Sequence, residues 1–340
     1  MGGGAPVSVQ TMTKTDTADA EASLDQIRRV AAAGAQIVRV AVPSKQALDG
    51  FARIVAASPV PIVADVHFDY RLALAAIERG AAKLRINPGN IGDDRRLAAV
   101  LSAAGEAGIP VRLGVNAGSL EKDLLEKYGH PGPEPLCESA LRSVARAEAL
   151  GFAAIVVSLK ASSVATTVAA NRLFAQQSDV PLHLGITEAG YGWDGVAKSA
   201  VGLGLLLAEG IGDTLRVSLT DDPVAEVRVG RAILQSLDMI AGPVLVSCPT
   251  CGRCQVELRP IAEAVRQALD EVTTPIVVAV MGCEVNGPGE AREADLGLAC
   301  GGQYAVIFRR GELLRRVQMS EAVPALLAEL DELAPRPSLV

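Results

Sequence analysis

Short β-rich runs alternate with Ala-rich helical stretches eight times over in the first ~240 residues, and few folds accept that rhythm. The runs are Val7–Thr11, Ile37–Ala41, Ile62–Asp65, Lys83–Ile86, Val111–Val115, Ala154–Ser158, Leu182–Ile186 and Thr214–Val217. Between them, Asp19–Ala33, Arg95–Ala107, Glu138–Leu150 and Val196–Glu209 carry apolar residues at helical spacing. Eight βα units match a closed TIM barrel. A doubly wound open sheet would give similar local patterns, but no GxGxxG follows an early strand, so it ranks second. Apolar residues make up 49% of the chain and aromatics only 3%, so Ala, Val, Leu and Ile must fill the core. That filling suits parallel strands buried on both faces.

Gly242-Pro243 breaks the rhythm. Beyond it Val244–Ser247, Ile276–Val280, Leu296–Ala299, Ala305–Arg309 and Leu313–Val317 read as strands, with Leu258–Val272 and Ser320–Leu333 as helices. The sequence therefore divides into a barrel over 1–241 and a small α+β domain over 242–340. With 32 basic and 39 acidic side chains the net charge is −7, which argues against broad nucleic-acid binding, since that needs a basic face. No run approaches the roughly 18 apolar residues of a membrane span. Met1-Gly2-Gly3-Gly4-Ala5 offers neither a charged nor an apolar leader, so no secretory signal is visible. The cysteines stand at 137, 248, 251, 254, 283 and 300. Their crowding between 248 and 283 fits a cytoplasmic metal site better than a disulfide frame.

Barrel chemistry sits at the carboxyl ends of the strands, and here those ends are polar. They carry Arg39; Asp65 and His67; Arg85 and Asn87; Arg112 and Asn116; Ser158 and Lys160; Glu188; Arg216 and Ser218. Five cations converging on one face of an acidic protein imply a polyanionic ligand. Arginine forks match phosphate oxygens, and Ser, Asn and backbone N–H groups complete such a shell. Asp65 reads equally well as a ligand contact or as the holder of a neighbouring Arg or His67. His130 and His183 lack comparable company and read as structural.

In the second domain, Ser247-Cys248-Pro249-Thr250-Cys251 and Gly282-Cys283-Glu284-Val285-Asn286-Gly287-Pro288-Gly289-Glu290 supply three thiolates and a carboxylate from two tight loops. Such soft donors hold iron–sulfur clusters or zinc. Three thiolates with the more replaceable Glu290 would leave one iron of a cubane open to chemistry. A zinc site would use Cys248, Cys251, Cys283 and Cys300, but its second pair is spaced too widely for a knuckle. Cys254 and Cys300 read as packed or partly exposed thiols, and Cys137 as a small apolar residue.

Several strings, taken in order, make a specific resemblance. Val38-Arg39-Val40, Ala64-Asp65-Val66-His67-Phe68-Asp69-Tyr70-Arg71, Leu84-Arg85-Ile86-Asn87-Pro88-Gly89-Asn90-Ile91-Gly92 and Gly114-Val115-Asn116-Ala117-Gly118-Ser119 come first. His183-Leu184-Gly185-Ile186-Thr187-Glu188-Ala189-Gly190, Gly210-Ile211-Gly212-Asp213-Thr214-Leu215-Arg216-Val217-Ser218 and the two cysteine loops follow. From about Ala5 to the last helix, the chain resembles the bacterial 4-hydroxy-3-methylbut-2-enyl diphosphate synthase family in its two-domain form. The resemblance implies a [4Fe-4S] cluster on Cys248, Cys251, Cys283 and Glu290. It implies reductive opening of 2-C-methyl-D-erythritol 2,4-cyclodiphosphate, with two electrons from reduced ferredoxin or flavodoxin and release of water. Glu188 would then be the acid, with Arg39, His67, Arg85, Arg112, Asn116, Lys160, Arg216 and Ser218 around the diphosphate. Two departures stand out: an N-terminus shorter than is usual in the family, and the additional thiol of Cys254. The eighth helix returns the chain toward the far end of the barrel, so the second domain starts on the wrong side to cover its own mouth. A head-to-tail homodimer, the pairing the family implies, would solve that geometry.

Overall fold

In the barrel strands, alternate side chains point into the lumen and outward to the helices, so both faces are buried and the strands read as nearly continuous apolar runs. The computed structural model describes residues 1–283 and 293–335. Its strands are β1 (Ser8–Met12), β2 (Ile37–Ala41), β3 (Ile62–Asp65), β4 (Lys83–Ile86), β5 (Val111–Asn116), β6 (Ile155–Lys160), β7 (His183–Leu184) and β8 (Thr214–Leu215). They pair in parallel in the order β6-β5-β4-β3-β2-β1-β8-β7. A parallel bridge between Val157 and Leu182 joins the remaining two edges and closes the ring. β2, β3 and β4 occupy the residues expected from the sequence. β7 and β8 are shorter than expected: beyond them single hydrogen bonds continue, from the Arg216 N–H to the Leu184 carbonyl (3.0 Å) and from the Thr187 N–H to the Ala161 carbonyl (3.2 Å). Soon after, Glu188 adopts a left-handed φ of 51°, which a strand cannot contain.

The outer layer consists of α1 (Ala20–Ala32), α2 (Ala47–Ala57), α3 (Tyr70–Glu78), the short α4 (Pro88–Ile91), α5 (Asp94–Glu106), α6 (Lys122–Tyr128), α7 (Pro133–Ala149), α8 (Val164–Ala175), α9 (Gly192–Ala208) and α10 (Pro223–Ser236). Their starts are written in the sequence. Asp19, Asp69, Asp93, Ser163 and Asp222 each accept a backbone N–H in the first turn of the helix they cap, satisfying a donor the helix leaves open. Pro133 and Pro223 sit at first-turn positions, where a missing N–H costs nothing. Between helices and strands lies an apolar shell in which Phe51, Phe174, Ile27, Ile54 and Leu101 are fully buried.

Contacts divide the chain into Met1–Met239 and Ile240–Val340. The second unit is a five-stranded sheet in the order β13-β12-β11-β10-β9. Here β9 is Val244–Ser247, β10 Val277–Met281, β11 Leu296–Cys300, β12 Tyr304–Arg309 and β13 Glu312–Gln318. β9, β10 and β11 run parallel; β11, β12 and β13 run antiparallel. Helices α11 (Leu258–Leu269) and α12 (Ala322–Leu333) bury Val265, Leu269, Leu326 and Leu330 with Val278, Leu296 and Ile307 of the sheet. In α11 the buried Leu258, Ile261, Val265, Ala268 and Leu269 recur at the spacing of one helical face.

With so few aromatics, each buried ring fills volume that little else can. Phe174 on α8 is fully buried, and truncating such a residue removes about 3–5 kcal/mol. Phe174→Ala is expected to lower the urea midpoint of the barrel's circular-dichroism transition with its slope unchanged.

Candidate active site

The lumen of this barrel is charged. Asp65, at the carboxyl end of β3, is 4% exposed and is the hub of its upper part. Arg85 Nη1 donates to Asp65 Oδ1 (3.1 Å) and lies 2.7 Å from His67 Nε2. His67 Nε2 lies 3.4 Å and Arg39 Nε 3.7 Å from Asp65 Oδ2. Register brings these groups together, because Asp65 pairs with Arg85 and Arg85 with Arg112 across neighbouring strands. Arg112 is 1% exposed, and its Nη1 donates to Gln10 Oε1 of β1 across the lumen (3.2 Å). Beside the hub, a concavity lined by Pro43, Asp65, His67 and Phe68 opens at the carboxyl ends of β2 and β3.

Burial alone would raise the Asp65 pKa, but Arg39, His67 and Arg85 together hold it well below the usual carboxylate range. The cations are pushed the other way. Burial lowers Arg39 to about 10 against the pull of Asp65. It lowers Arg112 and Lys160 well below their ordinary values, and the neighbouring cations add to both shifts. Lys83, at the amino end of β4 and 2% exposed, is lowered to about 7 by burial and by Arg112. Direction and cause agree throughout: the lumen holds more positive charge than its own acids compensate, and solvent does little to screen it.

Lys160 closes β6, and Arg216 follows β8 at the same end of the barrel. Arg216 leans on Glu226 of α10 (3.3 Å), a carboxylate 1% exposed. Glu226 also accepts from Thr11 Oγ1 (2.9 Å) and the Leu219 N–H (3.1 Å), and it pairs with Lys14 (3.1 Å). Among the described residues, Arg112 Nε and Arg216 Nε are buried without a hydrogen-bond partner. Orphaned donors of this kind are rare in folded proteins, and two on arginines of one lumen point to an anionic ligand.

The other expected residues take distinct places. Ser158 is buried on β6, opposite Gly114 of β5. Asn116 ends β5 and Ser218 lies beyond β8, both half-buried. Asn87 acts locally, its Oδ1 accepting the Gly89 N–H (3.1 Å) to cap α4 and its Nδ2 donating to Ser119 Oγ (3.1 Å). Glu188 is exposed, and a left-handed non-glycine residue stores about 1–3 kcal/mol of strain, the kind of cost that gathers at functional positions. His183 begins β7 fully buried, with neither ring nitrogen partnered among the described residues. Burial and the surrounding cations Arg112, Lys160, Lys83 and Arg39 push its pKa well down, so the ring is neutral. Sequence patterning does not single out Lys83, Gln10 or Glu226. The alternation of Lys83 with Arg85 on one strand is the available signal for the first; nothing local marks the other two.

In the second unit, Cys248 directly follows β9 and Cys283 follows β10 after one glycine. These strands are parallel with Val280 opposite Ser247, so both cysteines leave the sheet at one edge. Thr250, with φ of 60°, turns the loop between Cys248 and Cys251. The Gln255 N–H donates to the Gly282 carbonyl (3.1 Å), tying the two cysteine segments together. Cys251 is exposed and Cys248 half-buried. Cys254 is half-buried beside Gly282; like Cys248 it packs against the aliphatic core, and its Sγ donates to the Val256 carbonyl (3.3 Å). Burial, aided by Cys254, pushes Cys300 up to about 12, so that thiol stays protonated. Among the described residues no three His, Cys, Asp or Glu side chains gather tightly enough for a single ion, and Glu290 lies outside the described residues. A cubane holds its thiolates farther apart than one ion does. Three soft donors from two tied segments at one sheet edge therefore fit a cluster, with Cys248, Cys251 and Cys283 as the residues able to hold it.

A GcpE TIM-barrel domain model matches residues 1–231, and a GcpE protein C-terminal domain model matches residues 244–332. The 4-hydroxy-3-methylbut-2-en-1-yl diphosphate synthase (flavodoxin) of Geobacter sulfurreducens is 56% identical over 334 residues, covering 98% of this chain and 95% of that protein. The Aquifex aeolicus protein of the same name is 52% identical over 334 residues, with 98% and 94% covered. Among solved structures, a dihydropteroate synthase from Coxiella burnetii superposes with a TM-score of 0.51 at 14% identity, over 70% of this chain and 94% of its own. That likeness speaks for the fold alone. With both domain models matched in order and such identity along nearly its whole length, the chain belongs to the GcpE family.

Proposed function

We propose that the chain converts 2-C-methyl-D-erythritol 2,4-cyclodiphosphate to 4-hydroxy-3-methylbut-2-enyl diphosphate in isoprenoid precursor synthesis. The observation that carries this reading is the surplus of buried cations in the lumen, with donors of Arg112 and Arg216 left unpaired. A cyclic diphosphate brings two negative charges on a small frame, which is what such a lumen lacks. Arg39, Arg85, Arg112, Lys160 and Arg216 would hold the diphosphate oxygens, aided by Asn116, Ser158 and Ser218. Asp65 fixes Arg39 and Arg85 rather than touching substrate, since an anion meeting it would be repelled. His67, 47% exposed in its side chain, stands where it can donate to the ligand. Asn87 shapes the loop after β4. A fixed cationic shell stabilises the charge that accumulates as a diphosphate becomes a leaving group, a large term in many enzymes.

The balance of the reaction is two electrons and two protons in, one carbon–oxygen bond broken at each of two carbons, and one water out. Glu188 is the proposed proton donor to the departing oxygen. When bound, a [4Fe-4S] cluster on Cys248, Cys251, Cys283 and Glu290 supplies the electrons one at a time, received from reduced flavodoxin or ferredoxin. Reduced thiols such as these persist in a reducing compartment, so the cytoplasm is the proposed location. Among the described residues no helix is long and apolar enough to cross a membrane. The proposed assembly is a homodimer, and an anaerobic light-scattering mass of twice the 35.1 kDa chain is expected.

Anaerobically purified protein with reduced flavodoxin should form the linear diphosphate, and omission of the reductant should abolish it. Turnover without reductant would indicate a hydrolyase instead, and a colourless zinc-loaded protein would indicate a phosphosugar binder. Cluster ligation gives a separate check. Cys251→Ser should lose most iron and sulfide on analysis, whereas Cys254→Ser, whose thiol is engaged with the Val256 carbonyl, should keep both. The opposite pattern would move the ligand role to Cys254.

A further inference from the structure

Two lumen glycines have no backbone reason to be glycine. Neither Gly114, within β5, nor Gly185, directly after β7, has a positive φ. Any L-residue can adopt their backbone, and glycine inside a strand weakens it by roughly 0.5–1 kcal/mol relative to alanine. Space gives the reason. A Cβ on Gly114 would stand 3.0 Å from both Arg85 Nε and Arg85 Nη2 and 3.4 Å from its Cζ; nothing else is so close. The guanidinium turns its Nε/Nη2 edge to β5 at the one point where the strand offers no side chain. It has no room to retreat, because Asp65 (3.1 Å) and His67 (2.7 Å) hold its other edge. A Cβ on Gly185 would stand 2.6 Å from Lys160 Nζ and 2.8 Å from the Arg216 carbonyl oxygen. Here too a cation rests directly on backbone, inside a ring of Arg39, Arg85, Arg112 and Arg216 whose charges add to burial in lowering its pKa.

We propose that Gly114 and Gly185 are positioning residues that set where the Arg85 and Lys160 charges stand, and so fix the spacing of the diphosphate-binding shell. The inference rests on the lumen being the diphosphate site. In each case the missing methyl lets a long cationic side chain lie back against the barrel wall. A methyl there would push the charged head inward, into the volume the ligand's phosphates need, or sideways off its partners. Losing one charge-assisted hydrogen bond to the ligand weakens binding roughly tenfold or more.

The test is a pair of double-mutant cycles read by calorimetric binding to the anaerobic holoenzyme, so that turnover is not the readout. The titrants are 2-C-methyl-D-erythritol 2,4-cyclodiphosphate and, separately, inorganic pyrophosphate. Gly114→Ala is expected to weaken binding roughly tenfold or more in the native background, but less than about twofold in Arg85→Lys, where no guanidinium remains to be displaced. Gly185→Ala should likewise weaken binding roughly tenfold in the native background and clearly less in Lys160→Met, where only the contact with the Arg216 carbonyl remains. A merely structural glycine would cost the same in both, and equal losses in the two backgrounds overturn the proposal, as does undiminished binding by both glycine variants. Should Gly114→Ala fail to fold by circular dichroism, the Gly185 cycle decides. Native protein that binds pyrophosphate but not the cyclic diphosphate would refute the functional reading, while the cycles on pyrophosphate still decide the role of the glycines.

Discussion

The structure depends on a carboxylate buried among more cations than it can neutralise. Asp65 holds Arg85 and Arg39 and touches His67, yet Arg112, Lys160 and Lys83 share the same interior without a carboxylate of their own in the hydrogen bonds and ion pairs of the described residues. Burying an ion costs several kcal/mol after relaxation, and a single partner offsets that only in good geometry. A barrel whose lumen were filled with aliphatic side chains would avoid this cost. The apolar shell outside the strands offsets it instead: Phe51, Phe174, Ile54 and Leu101 sit fully buried between strands and helices. Stability is built outside the ring and electrostatic strain is stored within it, where the proposed diphosphate would relieve it.

Preorganisation follows from the same arrangement. The arginines need not be gathered when ligand arrives, because register on β3, β4 and β5 already aligns Asp65, Arg85 and Arg112. Glu226, anchored by Thr11 and the Leu219 N–H, fixes Arg216 from behind. Such a shell loses little energy to reorganisation at the moment charge moves, which is how fixed dipoles and charges accelerate reactions. The second unit follows a comparable logic with softer donors. Parallel β9 and β10 deliver Cys248 and Cys283 to one end of the sheet, while the core takes in Cys300, whose burial keeps its thiol protonated.

Much of this was legible in the sequence, and the reasons are physical. Parallel strands buried on both faces leave dense β-branched and aliphatic runs, so β2, β3 and β4 could be delimited to the residue; β9, an exposed edge strand, was marked instead by its β-branched residues after Gly242-Pro243. Strand-end cations stood out because Arg39, Arg85, Arg112, Lys160 and Arg216 interrupt those runs. What escaped was set by three-dimensional neighbours. Lys83 looks like a solvated strand start, but its side chain enters the lumen. Glu226 looks like an ordinary first-turn acid of α10, and only tertiary packing surrounds it with Thr11, Lys14, Arg216 and the Leu219 amide. The shortness of β7 and β8 was hidden as well, since Ile186 and Val217 continue the β-like pattern after the ladder has stopped.

The central claim, that the lumen is an unbalanced cation cluster completed by a diphosphate, is tested most directly by ligand-dependent thermal unfolding of the barrel. A ligand bound only by the folded state stabilises it by about 2.7 kcal/mol at one hundred times its dissociation constant. The account predicts a saturable rise in the unfolding temperature with the cyclic diphosphate, shrinking as salt screens the charges. It predicts none with 2-C-methylerythritol, which has the same carbon frame and no phosphate. Equal shifts from the two compounds, or none from either, would contradict it.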